Sequence, residues 1–325
     1  LPRRLGCRLE LCWMKNKKNN LRITLTAAAL VGAALFASST QSTIPARMLF
    51  PLYIAPGTNG NNWNAVISAN TYGNIDVILN PSNGPGSAKQ TNYVNGIARL
   101  KAANVGIYGY VHSTYGDRSI ADVKADVDKW VSWYGPLTGI FIDEAEYRAG
   151  QGDEGYYAEL YAYIKERGML AINNPGTGTN ETYLNLADTT CIFESSVTKT
   201  FTFPSWGWNY PSTKFCYLAW GASVEQMRTA VDVATKNNIE YVYITGNGSD
   251  PWNFIPPYLA EEAALLAGGG VVTPTASTMP TVTKTPAVTF TATYAPIITP
   301  TVTRTPTPSL ICVPALSVVV CNRMP

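Results

Sequence analysis

Between residues 46 and 268 the chain alternates short apolar runs with longer segments of helical periodicity. The short runs carry almost no charge, which is typical of strands buried on both faces of a parallel sheet. The longer segments repeat apolar residues every three or four positions, as amphipathic helices do. The predicted strands span residues 47–54, 75–81, 105–111, 139–143, 169–172, 190–193, 215–219 and 241–244, and the predicted helices span 63–69, 93–103, 119–133, 154–167, 224–236 and 257–267.

The alternation counts eight strand–helix units in about 220 residues. This number and length match a (β/α)8 TIM barrel, so we predict an α/β fold of that class over residues 46–268. The alternative is a doubly wound sheet, which needs a glycine-rich phosphate loop after an early strand. Residues 80–86 are glycine-rich, but their prolines replace the amides that would bind phosphate. A nucleotide site is therefore not expected.

Polar residues collect at the C-terminal ends of the predicted strands, whereas the strand interiors carry almost none. In a barrel these ends share one rim, and the active site lies on that rim. The segregation indicates an enzyme. The polar and aromatic residues at the strand ends are Tyr53, Asn80, His112, Asp143, Glu144, Asn173, Asn174, Glu194, Trp220 and Asn247.

The fourth strand ends in a cluster of three carboxylates, Asp143, Glu144 and Glu146. Hydrolysis of a glycosidic bond needs two carboxyl groups flanking that bond, and Glu194 on the sixth strand supplies a partner for this cluster. Consecutive residues of an ideal strand face opposite sides, so Asp143 and Glu144 can share a site only through a local bulge or turn. Glu144 has the reach of a catalytic acid or nucleophile, with Asp143 positioning it or the sugar. The alternative is that Asp143 caps a helix while the two glutamates are solvated.

Aromatic and hydrogen-bonding residues near the rim are candidates for sugar binding. Residues 203–210 form an aromatic loop after the sixth strand, which is either a sugar platform or a loop packed against its own barrel. The position of His112 at a strand end favours binding of substrate hydroxyls over contacts with neighbouring loops. The predicted substrate-binding residues are Tyr53, Asn80, His112, Tyr115, Asn173, Asn174, Trp206 and Trp220.

Composition argues against several other classes of function. A formal net charge of +2 makes nucleic acid an unexpected partner. The chain has one histidine, His112, so a zinc site built on several imidazoles is not expected, and a Ser-His-Asp triad would have to use that residue. We expect neither a metal nor a cofactor.

Two cysteines, Cys191 and Cys216, lie on adjacent predicted strands. If Glu194 and Trp220 both point into the barrel, strict alternation turns Cys191 outward and Cys216 inward. Side chains on opposite faces of a sheet cannot form a disulfide, so we predict that these cysteines are not bonded to each other.

The N-terminal region has the composition of a targeting segment. Residues 14–40 combine a basic start, an apolar stretch over 23–37 and small residues after it, which is the pattern of a secretory signal peptide. The apolar stretch is short for a membrane span, so an uncleaved anchor is the weaker alternative. Residues 1–13 are interpreted as a mis-called upstream segment. We expect a secreted, extracellular protein, with tethering to the cell surface as an option.

The C-terminal region is of a different composition from the barrel. Residues 269–309 are rich in threonine and proline, cannot pack a core and are predicted to be a disordered linker. Residues 310–325 form a short remnant that is too small for a domain. Cys312 and Cys321 could close a small loop in an oxidising compartment, but we do not predict that bond.

Six short motifs follow one another along the predicted barrel: FPLY at 50–53, ILNPSNGPG at 78–86, GYVHSTYG at 109–116, GIFIDE at 139–144, NNPG at 173–176 and FE at 193–194. Together they resemble the spherulin-4 family (spherulation-specific family 4) of glycoside hydrolases, which is similar to glycoside hydrolase family 135. The resemblance covers roughly residues 48–266 and excludes the Thr/Pro-rich tail. It implies a (β/α)8 hydrolase of α-1,4-linked galactosamine or N-acetylgalactosamine exopolysaccharide in biofilms, with Asp143, Glu144 and Glu194 as the catalytic carboxylates.

The sequence therefore predicts a secreted, monomeric, endo-acting glycoside hydrolase whose partner is an amino-sugar polysaccharide, with no membrane span in the mature protein. A non-catalytic carbohydrate-binding barrel displayed on a Thr/Pro stalk is the alternative, although such a protein needs no acid pair at two strand ends. A structural surface protein would leave the polar rim unexplained. Fold alone does not decide among these functions.

Overall fold

The computed structural model describes residues 45–148 and 150–269. Within them, eight parallel strands pair in chain order and close into one barrel, with the first strand pairing the last. The predicted (β/α)8 TIM-barrel fold is confirmed. The strands are β1 (Arg47–Leu52), β2 (Ile75–Leu79), β3 (Gly106–His112), β4 (Gly139–Asp143), β5 (Leu170–Asn174), β6 (Thr189–Ser196), β7 (Phe215–Trp220) and β8 (Tyr241–Thr245).

Six α-helices surround the barrel in the described region, one after each of β1 to β4, β7 and β8. Each helix buries an apolar stripe; in the third helix the stripe consists of Val123, Val127 and Trp130. These residues are three or four positions apart, so a helix places them on one face that can be buried against the barrel. The helices are α1 (Asn64–Ala69), α2 (Thr91–Ala102), α3 (Ile120–Tyr134), α4 (Glu154–Lys165), α5 (Val224–Lys236) and α6 (Leu259–Leu266).

The units after β5 and β6 contain no α-helix. The connection after β5 holds the 3-10 helix Glu181–Leu186, and the connection after β6 holds the 3-10 helices Ser205–Asn209 and Ser212–Lys214. The prediction of eight full strand–helix units is therefore wrong for these two. The apolar periodicity indicated helices only in the other six units, so the count of eight extended the pattern beyond its signal.

An aromatic loop takes the place of a helix after β6. The rings of Phe193 in β6 and Tyr217 in β7 stack at a centroid distance of 4.5 Å on the side that faces α5, and Phe201 lies edge-on to both. Phe203 lies edge-on to Phe215 of β7. Aromatic side chains bury large apolar areas, so this loop covers the outer face of the sheet as a helix would. Packing against the barrel is thus the observed role of the loop.

A one-residue bulge interrupts β6. Its register with β7 steps by one residue between Cys191 and Phe193, which leaves Ile192 as the extra residue. An extra residue reverses the alternation of side chains beyond it, so Cys191 and Glu194 both point into the barrel. The predicted outward orientation of Cys191 is therefore wrong. Cys191 lies beside Cys216, and both are buried free thiols, which agrees with the predicted absence of a disulfide but not with the reason for it.

The two ends of the barrel region meet each other. The backbone N–H of Ala46 donates to the carbonyl of Leu266 at 2.9 Å, so the chain enters β1 beside the end of α6. None of the helices formed by residues 45–148 and 150–269 is both long and apolar enough to cross a membrane. The predicted upstream segment, the signal peptide, the Thr/Pro-rich segment beyond residue 269 and the C-terminal remnant with its two cysteines lie outside the described residues.

Candidate active site

Three side chains from successive strands meet at the C-terminal rim of the barrel: Asp143 of β4, Asn174 of β5 and Glu194 of β6. Strand register sets Asp143 beside Asn174, and the bulge in β6 turns Glu194 towards them. The Nδ2 atom of Asn174 donates to Asp143 Oδ1 at 2.8 Å and to Glu194 Oε2 at 2.6 Å. One amide group thus holds both carboxyl groups. Because hydrogen bonds of ordinary length share one nitrogen, the two accepting oxygens lie within about 5 Å of each other.

The Asp143 carboxyl receives the larger share of hydrogen-bond donors. Tyr110 donates its hydroxyl to Oδ2 at 2.8 Å, and Asn174 and the backbone N–H of Glu144 donate as well. Burial raises the pKa of Asp143, while these three donors oppose the rise because they stabilise the charged form. These donors therefore stabilise the negative charge of Asp143 although its carboxyl group is partly buried.

In the part of the chain that the structure describes, the Glu194 carboxyl has a single side-chain donor, Asn174. Burial first, and then the charge of Asp143, raises the pKa of Glu194 to about 7, although the hydrogen bond from Asn174 acts the other way. Near neutral pH a large fraction of Glu194 keeps its proton beside Asp143. Neighbouring carboxyl groups with different protonation are a common arrangement of a catalytic acid and its partner.

Glu144 leaves the strand through a left-handed turn. β4 ends at Asp143, and Glu144 has a φ of 52°, which non-glycine residues rarely adopt. The Glu144 side chain is 43% exposed, and its Oε2 lies 3.7 Å from Nδ1 of His112 at the end of β3. A local turn of the kind that Asp143 and Glu144 need in order to share a site is therefore present. It leaves Asp143 in the mouth of the barrel and Glu144 on the open side of the rim.

The unusual backbone extends to the facing loop after β3. Thr114 and Tyr115 have φ values of 50° and 55°, and the N–H of Tyr115 donates to the carbonyl of Glu144 at 2.6 Å. The Tyr115 side chain is 40% exposed, and its ring lies edge-on to Tyr147 at 6.4 Å. Backbone strain of this kind concentrates at binding and catalytic sites.

The third carboxylate of the cluster, Glu146, has a structural role. It is 2% exposed, and its Oε1 accepts the backbone N–H groups of Tyr147 and Arg148 at 2.7 Å each. The Arg148 guanidinium donates to Oε2 at 2.6 Å, and this hydrogen bond is the main reason that the pKa of Glu146 is lowered to about 2. Glu146 therefore shapes the loop after β4 and is not solvated.

Six of the eight predicted substrate-binding residues lie at this rim. Tyr53 lies edge-on to Tyr110 at a ring distance of 5.8 Å. Trp220 lies edge-on to Trp252 of the loop after β8, also at 5.8 Å. Asn174 is present too, but its amide is occupied by the two carboxyl groups. The six residues are Tyr53, Asn80, His112, Tyr115, Asn174 and Trp220.

The other two predicted contacts, Asn173 and Trp206, are used elsewhere, and Asn80 is engaged in its own loop. Asn173 points out of the barrel, because consecutive residues of β5 face opposite sides, and its Nδ2 donates to the carbonyl of Leu186 at 3.4 Å. Trp206 packs with the aromatic loop against β7. Asn80 accepts the N–H of Gly84 at 2.8 Å and so closes its own loop. The structure does not bring Asn173 or Trp206 to the carboxylates.

The barrel region matches the family model of spherulation-specific family 4 over residues 47–266. Spherulin-4 of Physarum polycephalum is 32% identical over 260 residues, which cover 75% of this chain and 76% of that protein. The chain belongs to spherulation-specific family 4. The structure is similar to that of Aspergillus clavatus Sph3, solved in complex with GalNAc, with a TM-score of 0.60 and 22% identity over 69% of this chain and 98% of Sph3. A likeness at this level of identity shows the common barrel fold.

Two parts of this site in spherulation-specific family 4 were not predicted from the sequence. Tyr110 precedes His112 by two residues, so strand alternation places both on one face, and that signal was present. Ser113 and Tyr157 are 44 positions apart, yet their hydroxyl oxygens lie 2.9 Å from each other beneath Glu144. Nothing in the local pattern joins Ser113, which follows β3, to Tyr157 on α4, because α3 and β4 lie between them in the chain.

The carboxyl groups at the rim of the barrel are held by hydrogen bonds. Across residues 45–148 and 150–269, no three His, Cys, Asp or Glu side chains are grouped in a way that could hold a metal ion. Asp143 accepts hydrogen bonds from Tyr110 and Asn174, and Glu194 accepts one from Asn174. Chemically, the arrangement can transfer a proton beside a fixed negative charge.

Proposed function

We propose that this member of spherulation-specific family 4 is a glycoside hydrolase that cuts its substrate with Asp143 and Glu194. The observation that carries the proposal is the single Asn174 amide that holds both carboxyl groups at the rim. Glycosidic hydrolysis needs one carboxyl group with a proton and a second with a charge, both next to the bond that breaks. The donor sets around Asp143 and Glu194 separate their protonation in this sense.

In the proposed reaction, Glu194 donates its proton to the glycosidic oxygen as the bond to the anomeric carbon breaks. Asp143 attacks that carbon and forms a glycosyl ester, because carboxyl oxygens within about 5 Å of each other suit a retaining enzyme, whereas inverting enzymes need roughly 6.5–9.5 Å. Glu194 then takes a proton from water. The resulting hydroxide attacks the anomeric carbon, releases Asp143 as a carboxylate and leaves the sugar with its original configuration.

The substrate we propose is a polymer of α-1,4-linked galactosamine or N-acetylgalactosamine, cut internally. The shared family motifs and the GalNAc complex of the similarly folded Sph3 support an amino sugar. On this chain, Tyr115 offers an exposed ring for stacking, and Glu144 offers an exposed carboxylate for sugar hydroxyl or amine groups. The signal-peptide pattern of residues 14–40 supports an extracellular enzyme.

A non-catalytic carbohydrate-binding barrel is the second candidate function. It would use the aromatic and polar groups of the rim equally well. It would have no use for a buried Glu194 that keeps its proton beside Asp143, and burying such groups is costly. The bridged acid pair therefore favours hydrolysis over binding alone.

The test is the release of reducing ends from purified α-1,4-galactosamine polymers, acetylated and deacetylated. We expect release by the wild type and a loss of about 10²- to 10⁴-fold in Glu194→Gln and Asp143→Asn, the usual worth of an acid or base group. Glu159→Gln changes a 59% exposed carboxylate on α4 and serves as the control that keeps full activity.

The outcomes separate the two candidates. Binding of the polymer by the wild type without release of reducing ends would support the carbohydrate-binding barrel. Equal release by all variants would remove Asp143 and Glu194 from the reaction. Proton NMR of the first product reports the anomer, and an α product agrees with the retaining scheme.

A further inference from the structure

A chain of buried hydroxyl groups links helix α4 to the backbone of Glu144. Tyr157 on α4 and Ser113 after β3 are 1% and 0% exposed, and their hydroxyl oxygens lie 2.9 Å apart. The Tyr157 oxygen lies 2.8 Å from the backbone nitrogen of Glu146. The Ser113 oxygen lies 2.8 Å from the carbonyl oxygen of Glu144. The two side chains therefore hold both ends of the segment from Glu144 to Glu146.

Counting donors gives this hydroxyl chain a direction. The N–H of Glu146 can only donate, so the Tyr157 oxygen accepts from it. The carbonyl of Glu144 can only accept, so the Ser113 hydroxyl donates to it, and the Tyr157 hydroxyl is left as the donor to Ser113. Burial raises the pKa of Tyr157 to about 12, so the hydroxyl keeps the proton that it donates at neutral pH.

The hydroxyl chain ends on a residue in a rare conformation. Glu144 has a φ of 52°, and its carbonyl accepts a second hydrogen bond from the N–H of Tyr115, which has a φ of 55°. Non-glycine residues adopt the left-handed region only where their surroundings hold them there. Both donors to the Glu144 carbonyl therefore maintain the turn, and the turn decides where the Glu144 carboxylate lies.

We propose that Tyr157 and Ser113 position Glu144, and that their hydroxyl chain keeps its carboxylate beside His112 on the open rim. This inference rests on the proposed function, in which Glu144 contacts the sugar. The hydroxyl groups of both residues are buried beneath the rim. Tyr157 and Ser113 therefore act through Glu144 and are positioning residues.

Helix α4 offers a matched control one residue away. Tyr156 also has a buried hydroxyl, but that hydroxyl has no hydrogen-bond partner among the described residues. Tyr156→Phe and Tyr157→Phe each remove one buried oxygen from the same turn of the helix. Only the second substitution breaks the hydroxyl chain, and Ser113→Ala breaks it independently at the next link.

The first experiment reads the position of Glu144 without using activity. His112 is the one histidine of the chain, so untagged full-length protein gives a single set of histidine ring signals in NMR spectra. Glu144 Oε2 lies 3.7 Å from His112 Nδ1, and Glu144→Gln shows how the signals respond when the carboxylate is lost. We expect Tyr157→Phe and Ser113→Ala to displace the signals and Tyr156→Phe to leave them in place. Wild-type signals in both Tyr157→Phe and Ser113→Ala would overturn the proposal.

The second experiment measures hydrolysis of the galactosamine polymer. We expect Tyr157→Phe to lower kcat/KM about tenfold to a hundredfold, as displacements of about 1 Å do, and Tyr156→Phe to leave it unchanged. In the Glu144→Gln background, Tyr157→Phe causes little further loss because the group that it positions is already gone. The same loss in both backgrounds would contradict the proposal.

The two experiments distinguish this inference from the proposed function. An inactive wild type whose histidine signals respond to Tyr157→Phe contradicts the hydrolase and leaves the positioning role intact. An active wild type in which Tyr157→Phe equals Tyr156→Phe in both measurements contradicts the positioning role and leaves the hydrolase intact. Thermal unfolding checks that each variant is folded, and Ser113→Ala replaces Tyr157→Phe if that variant does not fold.

Discussion

Two glutamates on the same rim differ because of the groups that surround them. The pKa of Glu146 is lowered to about 2, whereas the pKa of Glu194 is raised to about 7. Arg148 and two backbone N–H groups stabilise the charged form of Glu146, while burial and the charge of Asp143 destabilise that of Glu194. The first residue shapes a loop, and the second keeps its proton up to about neutral pH.

The raised pKa of Glu194 predicts a pH-dependent effect on stability. The folded protein binds this proton up to about pH 7, but the unfolded chain releases it near pH 4.5, so the contribution of Glu194 to stability falls as the pH rises between these values. We expect Glu194→Gln to be more stable than the wild type at pH 8 by roughly 1–3 kcal/mol and about equally stable at pH 4. Urea unfolding at both pH values measures this, and an equal difference at both would contradict it.

The bridging amide of Asn174 predicts a change in the pH profile of activity. Its hydrogen bond lowers the pKa of Glu194, so its removal in Asn174→Ala raises that pKa. We expect the alkaline limb of kcat/KM to move to higher pH while the maximum falls by at least about tenfold, because the two carboxyl groups are no longer held together. Asn173→Ala is the control, since Asn173 faces out of the barrel, and a shifted limb there would refute the assignment.

At the scale of elements, two departures from regular strands place the carboxylates. The bulge at Ile192 in β6 turns Glu194 into the barrel, and the left-handed turn at Glu144 follows the end of β4. With strict alternation, Glu194 and Cys191 would lie on opposite faces of the sheet, and so would Asp143 and Glu144. Irregular backbone beside regular strands is therefore what assembles the acidic set.

The aromatic loop after β6 gives a test of packing against sugar binding. Phe203 lies between Trp208 and Phe215 at ring distances of 5.0 and 5.1 Å, whereas Trp208 is 56% exposed. We expect Phe203→Ala to cost about 2–4 kcal/mol of unfolding free energy and Trp208→Ala less than about 1 kcal/mol. Urea unfolding measures both. A raised KM with unchanged stability in Trp208→Ala would instead support a sugar platform.

At the scale of the whole molecule, the barrel closes between its own first and last elements. β1 pairs with β8, and the backbone N–H of Ala46 donates a hydrogen bond to the carbonyl of Leu266 at 2.9 Å. The family model covers residues 47–266, which is the same stretch. Among residues 45–148 and 150–269, the contacts that close the fold therefore join the two ends of the barrel region.

This closure predicts that residues 46–268 fold without the flanking segments. We expect the shortened chain to unfold cooperatively and to keep kcat/KM within about twofold of the full chain, because a domain carries its own core. Circular dichroism during heating and the reducing-end assay measure the two properties. Aggregation of the shortened chain, with a soluble full-length protein, would show that the predicted boundary is wrong.

The regular elements could be predicted from the sequence to within a few residues. The strand at Gly139–Asp143 and the helix at Val224–Lys236 have the bounds that the apolar pattern indicates. Burial of one face leaves a periodic trace along the chain, so such elements are readable locally. The units after β5 and β6 have no such trace, and there the expected helices are missing.

The barrel, the rim and the residue types that gather on it could be predicted from the chain alone, because they follow from local periodicity and from the positions where strands end. Which side chains face each other became visible in the folded protein. Asn174 rather than Asn173 joins Asp143 to Glu194, and Tyr157 supports Glu144 from another element. Which side chains of a strand face into the barrel depends on the strand's register and on a single extra residue, and neither can be read from the composition of the strand itself.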